Sequence, residues 1–400
     1  MKKIKNLEIN FLSVLLASLI LLAVYLAFIG GYGSDEDTLP MIGVFISILK
    51  HANIMASRFT PYPIPELGIG FLSYHFGSFL PNLVTFIFMA LAIVFTFLSL
   101  NDFNLKESDN KKKYLHNLVL FLVICLSNPY IFFDNLEPID YSWAFFFFSI
   151  GLYCLKNRYY ELAILFFGCS IGSRINFVIF VLMASLFFKL EIPKYRRLII
   201  FLSSFIIGGL FYLPIWFTNY FGIDWITSAR PLEQGYFGLM ARFIYKFTQA
   251  IGPIQVILIS ILLILSLKKN KILNTQLKFI LLLMLSNLIL FFYIPAEISY
   301  LQPFLIFLYF YIFYNFKRKY LYLLLFVNIL SWFVSVDYLK IIHKNQDSCL
   351  ARQAVDAEFL LRIEKGYLKN FLDSRKQILC WIKHETPEFR YKIINGKPLK

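Results

Sequence analysis

Charged residues are scarce in this chain of 400 residues. Asp, Glu, Lys and Arg make up only 16% of the sequence, whereas 59% is hydrophobic. A soluble globular protein cannot bury that much apolar surface, so the composition indicates a protein whose solvent is lipid. The net charge of +15 does not indicate nucleic-acid binding. The basic residues lie in short clusters between apolar segments, as the positive-inside rule predicts.

Signatures of nucleotide binding, repeat architecture and signal cleavage are also missing. The chain has no Gly-x-Gly-x-x-Gly run, which argues against a Rossmann-type nucleotide site. It shows no internal repeat, which weighs against an inverted-repeat transporter. A small-x-small cleavage site does not follow the first apolar run, so we expect that run to remain as a membrane helix.

Apolar runs at or near the length needed to cross a bilayer recur along the chain. They predict an all-α polytopic membrane protein with about eleven transmembrane helices. The fifth and sixth runs are short, which predicts a thin or partly re-entrant pair buried among other helices. The predicted spans are residues 10–30, 79–100, 115–130, 139–155, 159–172, 174–188, 198–218, 247–267, 279–294, 300–314 and 320–336.

The charges of the loops predict the orientation. Lysine and arginine cluster in alternate loops, for example at 111–113, 194–197 and 317–319, and most acidic residues lie in the other loops. The positive-inside rule therefore places the N-terminus in the cytoplasm and the acidic loops outside. We expect a multi-pass protein of the cell (inner) membrane with an extracytoplasmic C-terminal tail.

The chain is predicted to divide into a transmembrane domain, residues 1–336, and a small tail, residues 337–400. The first outer loop, residues 31–78, is the longest, and we expect it to hold two amphipathic helices on the membrane surface, residues 38–51 and 67–76. Three prolines predict a non-helical turn between them, from Arg58 to Glu66.

In the tail, Cys349 and Cys380 are predicted to form a disulfide, because the outer compartment is oxidising in most cells. Unpaired thiols in a reducing compartment are the alternative. A helix or helical pair is expected beside the bridge. The apolar residues that predict it are Phe359, Leu360, Ile363, Leu368, Phe371 and Leu372.

Three consecutive carboxylates, Asp35, Glu36 and Asp37, follow the first span on the side away from the N-terminal lysines. We call residues 35–37 the acidic run. Folding does not require three repelling charges there, and such a group can supply a general base. The alternative is a solvated loop that is acidic by chance.

Further polar residues lie at the outer ends of predicted spans. Asp140 precedes the fourth span, Arg174 separates the two short spans, and Glu297 and Tyr300 lie before the tenth. Arg230 lies in the outer loop after the seventh span. Together they predict an outer cleft with carboxylates for proton transfer and arginines for a phosphate. For Asp140 alone, interaction with a helix dipole is an alternative, and for Arg174 alone, contact with phospholipid headgroups.

Five motifs in order resemble a bacterial branch of the GT-C superfamily of membrane glycosyltransferases. The acidic run is similar to that family's Asp-Glu pair after the first span, and it also fits Asp-x-Asp. Thr60-Pro61 departs from the branch's usual Pro-Gly. The resemblance covers about residues 10–315 and does not extend to the tail. The other matching segments are Ser57-Arg58-Phe59-Thr60-Pro61-Tyr62-Pro63 with Glu66, Asp140-Tyr141-Ser142-Trp143, Gly172-Ser173-Arg174, and Pro295 to Pro303.

The resemblance implies transfer of a hexose or pentose from a polyprenyl-phosphate donor to a hydroxyl of a glycan, lipid or protein acceptor outside the cytoplasm. One carboxylate, with Asp35 slightly favoured over Asp37, would deprotonate the acceptor, and arginines would stabilise the departing phosphate. A divalent cation, Mg²⁺ or Mn²⁺, could share that role, as in some members of the family, although the carboxylates alone do not show one. Arg174→Ala is then expected to weaken donor binding more than it destabilises the fold.

By this resemblance the candidate residues fall into three groups. The catalytic residues are Asp35, Glu36, Asp37 and Asp140; the phosphate-binding residues are Arg58, Arg174 and Arg230; the substrate-binding residues are Tyr62, Glu66, Glu297 and Tyr300.

Two other functions remain open. An O-antigen-type polymerase or ligase also uses polyprenyl-linked sugars, but its large outer loop usually comes late in the chain, whereas here the longest loop comes first. A transporter would need charges or broken helices near the middle of the membrane, where this sequence has few charges.

Overall fold

The computed structural model of the protein describes residues 2–33, 38–51, 62–101, 108–188, 192–218, 235–267, 275–293, 298–343, 354–374 and 387–399. Helices make up most of this part of the chain, and two strands follow the last long helix. The helices up to residue 218 are α1 (Lys2–Ile29), α2 (Thr38–His51), α3 (Pro63–Phe76), α4 (Phe79–Leu100), α5 (Ser108–Ser127), α6 (Pro129–Asp134), α7 (Tyr141–Lys156), α8 (Tyr160–Ser173), α9 (Phe177–Phe187) and α10 (Lys194–Thr218). The later elements are α11 (Gly235–Ile251), α12 (Pro253–Leu267), α13 (Thr275–Tyr293), a 3₁₀ turn (Ile298–Leu301), α14 (Gln302–Asn315), α15 (Arg318–Leu330), β1 (Val334–His343), β2 (Ala354–Lys365), α16 (Tyr367–Ser374) and α17 (Pro387–Ile394).

The described helices support a helical membrane protein. Four of them, within α1, α4, α10 and α13, are long and apolar enough to cross a membrane, or five if the bent pair of α11 and α12 counts as one span. The two helices of that pair meet at 89°. The other predicted spans coincide with shorter or more polar helices, such as α8 with 14 residues and α9 with 11. The count of eleven spans is therefore not confirmed.

Hydrogen bonds at helix ends show which ends meet. The Asn82 side chain, near the start of α4, donates to the Gly31 carbonyl just after α1 (2.8 Å). The Lys156 ammonium at the end of α7 donates to the carbonyls of Leu98 and Asn101 at the end of α4 (2.8 and 2.7 Å). We call the end of the bundle where α1 finishes and α4 and α7 begin the distal end, and the opposite end the proximal end.

The first outer loop holds two helices at the distal end, as predicted. The bounds predicted for α2, Thr38–His51, are confirmed. However, α3 starts at Pro63, whereas the prolines predicted a non-helical turn up to Glu66. That prediction is wrong for residues 63–66, because proline is well tolerated in the first helical turn, where its missing N–H needs no partner.

The tail contains two strands where the sequence predicted a helix or helical pair. β1 and β2 form an antiparallel ribbon, with Val334 opposite Lys365 and His343 opposite Ala354. The helix predicted as the last span therefore ends at Leu330 rather than residue 336, and the domain boundary predicted at 336/337 falls inside β1. The apolar residues predicted as helical divide between two elements. Phe359, Leu360 and Ile363 lie in β2, and Leu368, Phe371 and Leu372 lie in α16.

Two of the contacts between the tail and the bundle bear on the distal end. Phe371 of α16 lies against Phe133 of α6, with ring centroids 5.1 Å apart. Further along, Ile393 and Leu399 are buried in a small apolar cluster around the first outer loop. The other buried members of this cluster are Tyr32, Met41, Ile42, Ile69 and Trp143.

Candidate functional site

Arg174 is the centre of a buried polar cluster at the distal end. It follows the last residue of α8 in an extended conformation, and its side chain is only 1% exposed. Its Nε lies 2.9 Å from Oδ2 of Asp140, whose side chain is 3% exposed. Its Nη2 donates a hydrogen bond to the Tyr62 hydroxyl (2.7 Å). Arg174 therefore does not reach phospholipid headgroups, because protein encloses it.

Three tyrosine rings surround the guanidinium. Its central carbon lies 3.3 Å from the ring centroid of Tyr141, 4.4 Å from that of Tyr62 and 4.7 Å from that of Tyr300. The rings of Tyr141 and Tyr300 also meet edge to face, with centroids 4.8 Å apart. Cation–π contacts of this kind strengthen when water is excluded, so the rings stabilise a charge that would otherwise be costly to bury.

Different elements bring these residues together. Tyr62 immediately precedes α3, Asp140 immediately precedes α7, and Tyr300 lies in the 3₁₀ turn before α14. The Asp140 side chain makes no capping hydrogen bond to α7, although Asp140 occupies the capping position. Its carboxylate instead faces Arg174 across the junction of α7 and α8. Because the chain enters or leaves a helix at each position, small backbone adjustments there can aim the side chains at one centre.

Glu66 and Tyr212 belong to the same region. Glu66 lies in the first turn of α3 and is 1% exposed. The Tyr212 hydroxyl, on α10, donates to the carbonyl of Ile171 (2.8 Å). The charged groups that act electrostatically on this hydroxyl include Glu66, Asp140 and Arg174. We call Tyr62, Glu66, Asp140, Tyr141, Arg174, Tyr212 and Tyr300 the arginine cluster.

Five residues of the arginine cluster were predicted from the sequence, and two were not. The unpredicted pair are Tyr141 and Tyr212. Tyr141 directly follows Asp140, so its position in the matched motif could have identified it. Tyr212 lies in a long apolar helix rich in aromatic residues, and the sequence there contains no signal that distinguishes it. The remaining predicted residues, Asp35, Glu36, Asp37, Arg58, Arg230 and Glu297, lie outside the described residues, as do Cys349 and Cys380.

Gly33, two residues before the acidic run, lies against the loop that carries Asp140. Gly33 has a φ of +84°, and a Cβ built on it would lie 2.8 Å from the Cδ atom of Glu137. Glu137 is 7% exposed and precedes Asp140 by three residues. Sequence analysis did not select Glu137. The structure therefore places Gly33 beside the loop between α6 and α7, residues 135–140, which we call the second outer loop.

The site is identified neither by a metal centre among the described residues nor by similarity to a known protein. The described residues contain no group of three or more His, Cys, Asp or Glu side chains that could hold a metal ion. The acidic run is not among those residues, so the possible role of Mg²⁺ or Mn²⁺ stays a prediction. Comparison with protein-family models, curated proteins and solved structures gave no match.

The arginine cluster can position and stabilise charge in a place from which water is excluded. Its guanidinium is fixed by an ion pair, a hydrogen bond and three rings, so it would need little reorganisation when a further negative group arrives nearby. Its carboxylate is engaged with that guanidinium. Proton transfer is therefore better suited to carboxylates outside this pair, such as those of the acidic run.

Proposed function

We propose that this protein is a membrane glycosyltransferase that moves a hexose or pentose from a polyprenyl-phosphate donor to an acceptor hydroxyl on the extracytoplasmic face. The observation that carries the proposal is the buried Arg174–Asp140 pair at the distal end. At that same end lies Gly33, two residues before the acidic run in the sequence. A fixed cation suits a phosphate leaving group. A group of carboxylates at the same end of a membrane bundle suits the removal of a proton from the acceptor.

The depth of Arg174 favours a lipid-linked donor. α8 has 14 residues, so Arg174 lies about 21 Å from the proximal start of that helix. The hydrocarbon core of a bilayer is about 30 Å thick. With the proximal boundary at Tyr159, which is exposed, Arg174 would lie several ångströms below the outer boundary. A phosphate joined to a polyprenyl chain can approach that depth from the bilayer.

The proposed reaction is a direct displacement at the sugar. The acceptor oxygen forms a bond to the anomeric carbon, and the bond between that carbon and the phosphate oxygen breaks. A carboxylate of the acidic run takes the acceptor proton, and polyprenyl phosphate leaves with the bonding electrons. General-base help of this kind is typically worth about 10²- to 10⁴-fold in rate. Arginines near the leaving group, with Arg58 and Arg230 as candidates, stabilise the phosphate.

The proposal includes eleven membrane crossings with the distal end outside the cell. The contacts at helix ends agree with alternating directions. The Gln255 amide at the start of α12 donates to Ser331 just after α15, whereas Arg318 at the start of α15 donates to Asn117 of α5. α11 would then lie along the outer surface, because it meets α12 at nearly a right angle. Helices shorter than the bilayer thickness are accommodated when neighbouring helices cover them.

Replacement of the acidic residues tests the function. Asp35→Asn and Asp37→Asn are made separately in the full chain, and Glu161→Gln, which changes an exposed carboxylate at the proximal start of α8, is the control. Sugar transfer from polyprenyl-phosphate donors is measured in proteoliposomes, and envelope glycans of host cells are compared by mass spectrometry. We expect at least one aspartate variant to lose transfer by about 10²-fold or more at normal expression, and the control to keep it. Full activity of both aspartate variants would contradict the catalytic assignment.

A transporter is the second candidate, because the Arg174–Asp140 pair is a buried charge pair of the kind that marks pathways through membranes. The same assay separates the possibilities. A transporter would move a lipid-linked sugar without forming a new covalent product. A polymerase or ligase would yield a product extended by more than one sugar unit, whereas the proposed enzyme adds one.

A further inference from the structure

Tyr32 joins three parts of the distal end. It precedes the acidic run by three residues and is 1% exposed. Its hydroxyl lies 2.8 Å from the carbonyl of Lys397, in the tail, and 3.2 Å from the carbonyl of Ser73, in α3. Burial raises the pKa of the Tyr32 hydroxyl above its ordinary value, so the group stays protonated and can donate to either carbonyl.

Residues 387–399, which we call the tail clamp, contact Tyr32 and the segment between α3 and α4. The Ser78 N–H, just before α4, donates to the carbonyl of Gly396 (3.1 Å). Ile393, 1% exposed, and Leu399, 8% exposed, are packed in the same apolar cluster as Tyr32. The tail clamp is thus bound by hydrogen bonds and by apolar burial, which are independent kinds of contact.

Contacts from three parts of the protein, one of them the tail clamp, converge on residues 31–33. Asn82 fixes the carbonyl of Gly31, Tyr32 is fixed by its own hydroxyl, and Gly33 lies against Glu137. Three successive residues are thereby held immediately before Ser34 and the acidic run. One of the segments that hold this stretch lies 365 residues away in the sequence.

We propose that the tail clamp is a positioning element for the acidic run: through Tyr32 it fixes the backbone from which the catalytic carboxylates are presented. This inference rests on the proposed glycosyltransferase function. Displacement of a catalytic group by about 1 Å can cost about 100-fold in rate, so holding the preceding residues in place matters more for turnover than for membrane insertion. Tyr32 and the tail clamp do not contact the reacting atoms in this proposal; they act through the residues that do.

The test uses two pairs of variants in the full chain, reconstituted in nanodiscs. Tyr32→Phe removes the hydroxyl and keeps the ring, and Tyr74→Phe makes the same change at a partly buried neighbour in α3 whose hydroxyl has no hydrogen bond among the described residues. Ile393→Ala loosens the tail clamp from within, and Ile363→Ala makes the same change at a site that is 79% exposed. Amide hydrogen exchange across residues 28–38 is measured together with kcat and the donor KM.

For Tyr32→Phe and Ile393→Ala, we expect exchange across 28–38 to rise about tenfold, since a buried hydrogen bond or anchor is lost. We expect kcat to fall by about 10- to 100-fold while the donor KM changes less than about twofold. The two control variants should match the wild type in every measurement. A purely structural role would instead lower the amount of folded protein and leave the kcat of the folded fraction unchanged.

Unchanged exchange, or unchanged kcat, in both Tyr32→Phe and Ile393→Ala would overturn the inference even if Asp35→Asn abolishes transfer. If the wild-type protein transfers no sugar but exchange across 28–38 still responds to both variants, the proposed function is wrong and the tail clamp still holds that segment. The two failures are therefore distinguishable.

Discussion

Removal of the Arg174 side chain should strongly destabilise the protein. Arg174→Ala leaves the Asp140 carboxylate in a region where its side chain is 3% exposed, without the guanidinium 2.9 Å away. Breaking a buried ion pair by removing one partner typically costs about 3–5 kcal/mol, because an uncompensated charge remains. The variant also loses the hydrogen bond to Tyr62 and contacts to three rings. The burial thus reverses the expectation from sequence that donor binding would suffer more than stability.

A double variant separates the charge pair from the packing. In Arg174→Met with Asp140→Leu, neither charge remains, and apolar side chains of similar length fill the space. Replacing a buried ion pair by apolar residues is often neutral or stabilising, so this variant should recover part of the stability lost in Arg174→Ala, the remainder reflecting the buried Glu66 carboxylate that also loses the guanidinium. It should still lack transfer activity, because the fixed cation is gone.

The measurement is the free energy of unfolding from denaturant titration in mixed micelles, with transfer activity measured on the same preparations. Arg196→Ala is the control, because Arg196 is an exposed arginine at the proximal start of α10. We expect the control to change stability by less than about 0.5 kcal/mol. An Arg174→Ala protein within about 1 kcal/mol of the wild type would refute the reasoning, since it would show that Asp140 is not left as a buried, unbalanced charge.

Two further predictions concern the first outer loop and the tail. Gly33→Ala should destabilise the protein by at least about 1–2 kcal/mol and lower transfer, because Gly33 has a φ of +84° and the new Cβ would lie 2.8 Å from Glu137. The control is Gly43→Ala, where a Cβ meets nothing within 4 Å, and it should leave stability and transfer near those of the wild type. Equal unfolding free energies for the two variants would contradict this account. Cys349 and Cys380 should be joined by a disulfide that stabilises the protein by about 3–4 kcal/mol in the chain-entropy model, and a non-reducing mass map that finds free thiols at both positions would exclude it.

The sequence predicted elements whose signal is local. The apolar run of α1 and the helical spacing of α2 correctly predicted both helices. The start of α3 was misplaced because proline was treated only as a helix breaker, whereas a first-turn proline costs a helix little. The ribbon of β1 and β2 was missed because its apolar residues follow a membrane helix directly. There, a strand such as Val334–His343 resembles the continuation of a span.

For the candidate site, the sequence predicted only which end of the bundle each residue occupies. Positive-inside charges grouped Glu66, Asp140 and Arg174 at the same end, and the structure brings them close together. Sequence could not show which carboxylate of the second outer loop faces which partner. That choice depends on how α7 and α8 rotate against each other, and packing of neighbouring side chains decides it. Tyr212 could not be found either, since it lies within an apolar helix.

Glu137 and Asp140, the two carboxylates of the second outer loop, have different neighbours, and this difference divides their proposed roles. Asp140 is engaged with Arg174, and protonating it would leave that guanidinium as a buried, unbalanced charge. The arginine cluster would thus oppose protonation of Asp140 during the reaction. Glu137, in contrast, lies against Gly33, on the side from which the chain enters the acidic run. We therefore infer that Asp140 positions Arg174 and that the general base lies in the acidic run.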